Sequence, residues 1–273
     1  MSIKIQEWLK QGVEAIDQDT VEQSGPAYPF VQWVNGQRQQ QRAGGVPFTG
    51  GWFAKGDQFQ DDLPGWKKDA LIFESGDSID GFFIRDLTVA VIRSRRCWQV
   101  RVGERTQIFP WDQYDLAQAA GKPSGKLQVL VAVKGLEDIN PLVLTMKGST
   151  SKAFAPSRTT ASVISTFDQK VMSVANAAVK KTGRRLARYA FWLTVGPERD
   201  ASGAPVFTQV GSGAASSPVT LPVALGLKAK MTLADLEPLY VGLENVRLFQ
   251  EYYTEAEQWA HAYDKMQAQD TDA

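Results

Sequence analysis

The side chains that most often do chemistry are scarce in this sequence. His261 is the only histidine and Cys97 the only cysteine in 273 residues. A Ser–His–Asp or Cys–His mechanism needs a base in contact with its nucleophile. No motif sets a Ser, Cys or carboxylate beside His261, which reads as an exposed helix residue. One Cys and one His cannot close a zinc site. Cys97 reads as a small strand residue, not a nucleophile. Carboxylates gather at Asp57, Asp61, Asp62, Asp69, Glu74, Asp77 and Asp80. A metal-dependent nuclease could use such groups. Their spacing follows no metal motif, and that of an EF-hand loop least of all, so solvated loop charge is the simpler reading. Gly211, Ser212 and Gly213 precede the extended segment SSPVTLPV and not a helix. They therefore lack the strand, glycines and helix start that a phosphate loop combines. The expectation is a chain with no catalytic residue, no metal and no cofactor.

The basic residues say more. The net charge is zero, but it is unevenly spread. Residues 81–200 hold 19 Lys/Arg against 9 Asp/Glu, while residues 1–80 hold 7 against 12 and residues 231–273 hold 2 against 9. A basic centre between acidic ends suggests a polyanion site whose field the ends partly offset. Within it, Leu186, Arg188, Ala190, Trp192 and Thr194 fall on one parity, which sets Arg188 four positions before Trp192. On a strand over residues 184–195 these would share the less apolar face, with Tyr189, Phe191, Leu193 and Val195 turned to the core. Such a face could stack bases on Trp192 and take phosphates on Arg188. Arg93, Arg95 and Arg101 would add a second basic stripe, with Arg96, Lys134 and Lys147 near the sheet's rim. The alternative is plain cross-strand packing beneath a solvated charged face.

These residues need a sheet to hold them. Strands are expected at residues 30–34, 51–54 and 71–73, with a long polar loop over 36–51 and acidic loops over 57–80. Residues 81–102 read as one extended run. Leu87, Val89 and Val91 share a face, but after Ile92 the apolar parity passes to Trp98, Val100 and Val102. Strict alternation cannot do this, so a bulge or corner is required near Ile92. Hairpin strands follow at 127–134 and 142–147, joined by GLEDINP. A helix is expected near 157–182, with Val163, Phe167, Val171, Val174 and Ala178 as its stripe and Gly183 as its end. Residues 197–218 suggest a mobile hairpin with a strand at 206–210. Amphipathic helices are expected at 3–17 and from Thr232 onward, the latter ending in an acidic tail.

The fold class expected is α+β, with a β-rich core and N-terminal, central and C-terminal helices. The core would be an OB-like barrel or a sandwich, since the bent strand and basic sheet resemble OB-type single-strand binders in architecture. One β-rich domain would span 1–230, and a C-terminal helix with its tail 231–273. No apolar run nears the length of a membrane span, and the N-terminus lacks the pattern of a secretory signal. A cytoplasmic protein with no membrane partner is expected. The leading function is single-stranded DNA binding, in replication, recombination or a mobile element, through Arg93, Arg95, Arg101, Lys134, Lys147, Arg188 and Trp192. The alternatives are an assembly protein that associates through its C-terminal helix, as a homo-oligomer or with a partner, and a metal-dependent nuclease.

Overall fold

A computed structural model describes residues 28–35, 40–41, 48–73, 76–103, 105–136, 138–157, 160–211, 216–257 and 259–260. The expected helix over 3–17, His261 and the acidic tail lie outside the described residues. The chain divides into two units, of which the first, Tyr28–Thr254, is compact.

The first unit is a mixed α+β body built on a large curled sheet, a half-barrel. Its early strands are β1 (Phe30–Val34), β2 (Gln40–Gln41), β3 (Gly51–Lys55), β4 (Lys67–Phe73) and β5 (Ser78–Ile84). Next come β6 (Leu87–Val102), β7 (Arg105–Pro110), helix α1 (Tyr114–Ala120), β8 (Ser124–Val133) and β9 (Leu142–Lys147). Helices α2 (Gly148–Phe154), α3 (Val163–Phe167) and α4 (Ser173–Val179) follow, the last two joined by a π turn at Asp168–Met172. The chain then adds β10 (Leu193–Pro197), the small hairpin β11 (Thr208–Val210) and β12 (Ser217–Val219), and β13 (Pro222–Leu225). Helices α5 (Leu233–Leu236) and α6 (Leu243–Glu255) come last. The main sheet runs β13-β10-β6-β8-β9-β1-β3-β5-β4-β2, with β7 also paired to β6. The β1–β9 pairing is parallel and the others are antiparallel.

One face of this sheet carries the main core. Val31, Trp52, Val89, Val129, Val131 and Leu144 pack there with Phe154, Phe167 and Val171 from the helices. Trp52 is fully buried, meets Trp33 and Phe154 edge to face, and donates from Nε1 to the Val195 carbonyl at 3.2 Å. It thus ties β3 to α2 and β10. Val34, Phe48, Phe53, Leu71 and Phe83 form a smaller second cluster. Gly81 lets β5 lie close to β3, since a Cβ there would come 2.1 Å from the Ala54 carbonyl oxygen.

The corner expected near Ile92 is present. The β6–β8 register shifts between Val91 and Arg93. Before it, Val89 and Val91 pair with Val133 and Val131 on the core face. After it, Arg93, Arg95 and Cys97 pair with Leu130, Gln128 and Lys126 on the other face. One extra residue therefore turns two arginines out of the core.

Several expectations need correction. Residues 81–102 are not one run, because a turn at 85–86 separates β5 from β6. Apolar residues resume so soon after Arg85 and Asp86 that their pattern reads straight through it. The strand in the acidic region begins at Lys67, well before residue 71. The central helix starts at Val163, where Ser162 Oγ accepts the Ser165 N–H at 3.1 Å. Its buried stripe reaches Ala175 and not Ala178, which is exposed. The π turn adds a residue to one turn and rotates the face that follows.

The largest correction concerns residues 184–195. They do not form a strand. Arg188–Ala190 is a 3-10 turn, and β10 begins only at Leu193. The Trp192 N–H donates to the Leu239 carbonyl at 2.7 Å, and the Val241 N–H to the Ala190 carbonyl at 3.1 Å. The backbone here is satisfied by residues 239–241 and not by a sheet neighbour. With Tyr189, Ala190, Phe191, Trp192 and Leu193 all buried, no alternating face exists. The C-terminal helix is likewise broken. Thr232 caps α5 in a capping box with Asp235, and α6 starts afresh after Gly242.

Candidate nucleic-acid interface

Beyond the bulge, the side chains of β6 alternate between two faces of the sheet. Arg93, Arg95 and Cys97 share the outer face, and Arg101 falls on the same parity. Cys97 sits in register with Lys126 on β8, which sits in register with Lys147 on β9. The sheet therefore brings Arg93, Arg95 and Lys147 to one side and adds Lys126, which the sequence pattern had not singled out. Arg95 Nε donates to Gln128 Oε1 at 2.8 Å. Arg101 is exposed, and its Nε donates to the Gly103 carbonyl at 3.3 Å. Burial, then the neighbouring Lys147, push the Lys126 ammonium below its usual range. Neither lysine has a carboxylate partner among the described residues. A bound anion would relieve this crowding. Cys97 beneath them is buried, and desolvation lifts its thiol to about 11 against the pull of Arg95 and Lys126.

Trp192 does not join this face as an open platform. It is 8% exposed, and Phe249 of α6 meets it edge to face at 5.8 Å. The Lys134 ammonium lies 5.9 Å from its ring centre. Arg188 is half-buried and holds Asp168 through two bonds of 2.7 Å. That hydrogen-bonded pairing raises its already high pKa.

The open aromatics are elsewhere. Trp98 on β6 and Trp111 just after β7 stack in parallel, with centroids 4.2 Å apart and planes at 8°. Trp98 Nε1 donates to the Trp111 carbonyl at 2.8 Å. Tyr114 of α1 meets Trp98 edge-on at 4.9 Å. Trp111 and Tyr114 are each 43% exposed, and the Arg96 guanidinium lies 5.7 Å from the Trp111 ring centre. Gly125 on β8 makes room, since a Cβ there would come 3.2 Å from both indoles. The sequence pattern marks Trp98 only as part of an apolar parity. The missed signal was β7, whose turn at Gly103 folds a second strand back and carries Trp111 to Trp98.

A cleft of about 500 Å³ opens beside the bulge. On this edge of β6, β10 pairs with residues 87–89 and β7 with residues 97–102. The interval between them is lined instead by Arg185, Leu186 and Arg188, with Tyr253 of α6. Arg93 and Arg188 thus meet at this cleft, while Lys134, Lys147 and Arg101 do not line it.

No group of three or more His, Cys, Asp or Glu side chains converges as a metal site among the described residues. No described helix is long and apolar enough to cross a membrane. Compared with protein-family models, curated proteins and solved structures, the chain matches none.

Proposed function

We propose that this chain binds single-stranded nucleic acid, DNA in the first instance, along the distal half of β6, without catalysing a reaction on it. The observation that carries the reading is the Trp98–Trp111 stack, which is open to solvent at Trp111 and has Arg96 beside it. The solvent-facing indole of Trp111 offers a π-face on which a base can stack. Base–aromatic stacking is worth roughly 1–3 kcal/mol per base, and guanidiniums add cation–π and phosphate contacts. The outer face supplies further cations at Arg95, Lys126 and Lys147. We read the fold as OB-like in the sense that one strongly bent strand serves two surfaces. A cytoplasmic location belongs to the same reading.

The test is anisotropy of a labelled oligothymidine titrated with the full chain and with Trp111→Ala. The variant should keep its melting temperature within a few degrees and lose roughly 1–3 kcal/mol of affinity. Equal affinity for both proteins would reject Trp111 as the platform.

One observation favours a second reading, a protein partner. Leu116 on the same helix as Tyr114 is 47% exposed, and an aliphatic side chain gives nothing to a base stack. Under that reading the patch covers a second copy or another protein, and concentration-dependent light scattering would show association that Leu116→Lys abolishes. The expected route through the C-terminal helix has less to offer, because Phe249 of α6 is buried against Trp192.

A further inference from the structure

The cleft beside the β6 bulge is a separate feature from the aromatic stack, and its chemistry is one-sided. Its titratable lining is Arg93, Arg185, Arg188 and Asp168, with Tyr189 and Tyr253. Both oxygens of Asp168 already accept from Arg188. Arg93 Nε donates to the Tyr253 carbonyl at 2.7 Å while its guanidinium lies over the Tyr253 ring. Those contacts fix Arg93 and leave both its Nη groups without a partner among the described residues. Arg185 is exposed and has no ion-pair partner among the described residues. Asn176 Oδ1 accepts the Leu186 N–H at 2.8 Å, which pins the lining segment to α4 and leaves the Asn176 amide N–H donors unused among the described residues. Asp168, the only carboxylate among the described lining residues, is therefore spent, and what remains there is donors.

We propose that this cleft binds the phosphate monoester of a nucleotide. Guanidiniums suit the several oxygens of a phosphate, which accepts from more than one of them at once. Phosphate alone would leave most of about 500 Å³ unfilled. Val91, Met172 and Leu186 supply an apolar wall for a base or sugar. Pockets of this size hold small organic ligands, with a few polar groups fixing their orientation. The ligand is either a free mononucleotide or the phosphorylated end of a strand. The proposal does not depend on the aromatic stack.

The experiment is calorimetric titration of the full chain with AMP, dTMP, adenosine and inorganic phosphate at low salt. A second arm compares Trp111→Ala binding to oligothymidines with a 5′-phosphate or a 5′-hydroxyl. A monophosphate should bind with Kd below about 1 mM, and inorganic phosphate and adenosine at least about tenfold more weakly. Arg185→Ala, an exposed change that leaves the core alone, should weaken the monophosphate about fivefold or more, as should Arg93→Gln. Tighter binding of the 5′-phosphorylated strand would identify the strand end as the source, and monophosphate binding with no such gain would identify the free nucleotide. No monophosphate binding near 10 mM would overturn the proposal. So would inorganic phosphate binding as tightly as AMP, or affinity unchanged in both arginine variants.

Discussion

The Arg93 guanidinium carbon lies 3.7 Å from the centre of the Tyr253 ring, and its Nε donates to the Tyr253 carbonyl. A β-bulge delivers the arginine and α6 delivers the tyrosine, so the pair fastens the helix to the sheet. Cation–π contacts are worth about 0.5–1 kcal/mol at exposed sites. A double-mutant cycle of Arg93→Gln with Tyr253→Ala should give a coupling of that size, while Tyr253→Phe should preserve it. Thermal or denaturant melts of the four proteins measure it. A coupling of zero would mean that the pair is adjacent without interacting.

Trp192→Ala should act on stability first. The side chain is buried against Phe249, so its removal should cost about 3–5 kcal/mol, as large-to-small core changes do. Urea denaturation reads this directly. A variant with unchanged stability and weakened oligonucleotide binding would restore Trp192 as a surface platform.

Asp235 links α5 to acid stability. Hydrogen bonds from Lys228 first, then Thr232, hold its carboxyl at about 2, below the ordinary 3.8. A carboxylate with a depressed folded pKa stabilises the fold above its unfolded pKa, and that contribution is lost as pH falls through the folded value. Between about pH 4 and about pH 2, wild type should therefore lose stability more steeply than Asp235→Asn. Melts across that range, or amide exchange in α5, test this. Parallel pH profiles would remove Asp235 from the account.

Cys97 should be inert while the protein is folded. A thiol held at about 11 has little thiolate at neutral pH, and the side chain is buried as well. An aromatic disulfide reagent should label it only in denaturant. Rapid labelling of the native chain would contradict the burial that places it under Arg95 and Lys126.

Much of the fold was legible where local pattern and tertiary environment agree. The parity change after Ile92 required the bulge, the bounds of β1 and β9 followed from apolar runs between turns, and Gly183 ends the central helical run with a φ of +68°. The pattern misled at residues 184–195, where alternation of type was mistaken for alternation of face. Residues 189–193 are buried on all sides and have no outside, and the hydrogen bonds of this stretch to residues 239–241 are invisible in a local window. The candidate site divided in the same way. Arg93 and Arg95 could be placed because the bulge fixes their face. The Trp98–Trp111 stack could not, because it depends on a turn at Gly103 and on the missing side chain of Gly125, neither of which is an apolar signal.

The central claim is that the cations and stacked indoles gathered along the distal half of β6 and its neighbouring strands bind single strands, and a salt titration tests it most directly. The full chain is titrated with a labelled oligothymidine at several salt concentrations, and indole fluorescence is followed alongside anisotropy. Each phosphate neutralised releases counterions, with a log–log slope near −0.7 per contact for a single strand. Arg95, Arg96, Lys126 and Lys147 supply about four such contacts, so a slope near −3 is expected, with quenching that saturates at the same stoichiometry. Binding that is absent at low salt, or tight and indifferent to salt, would contradict the account.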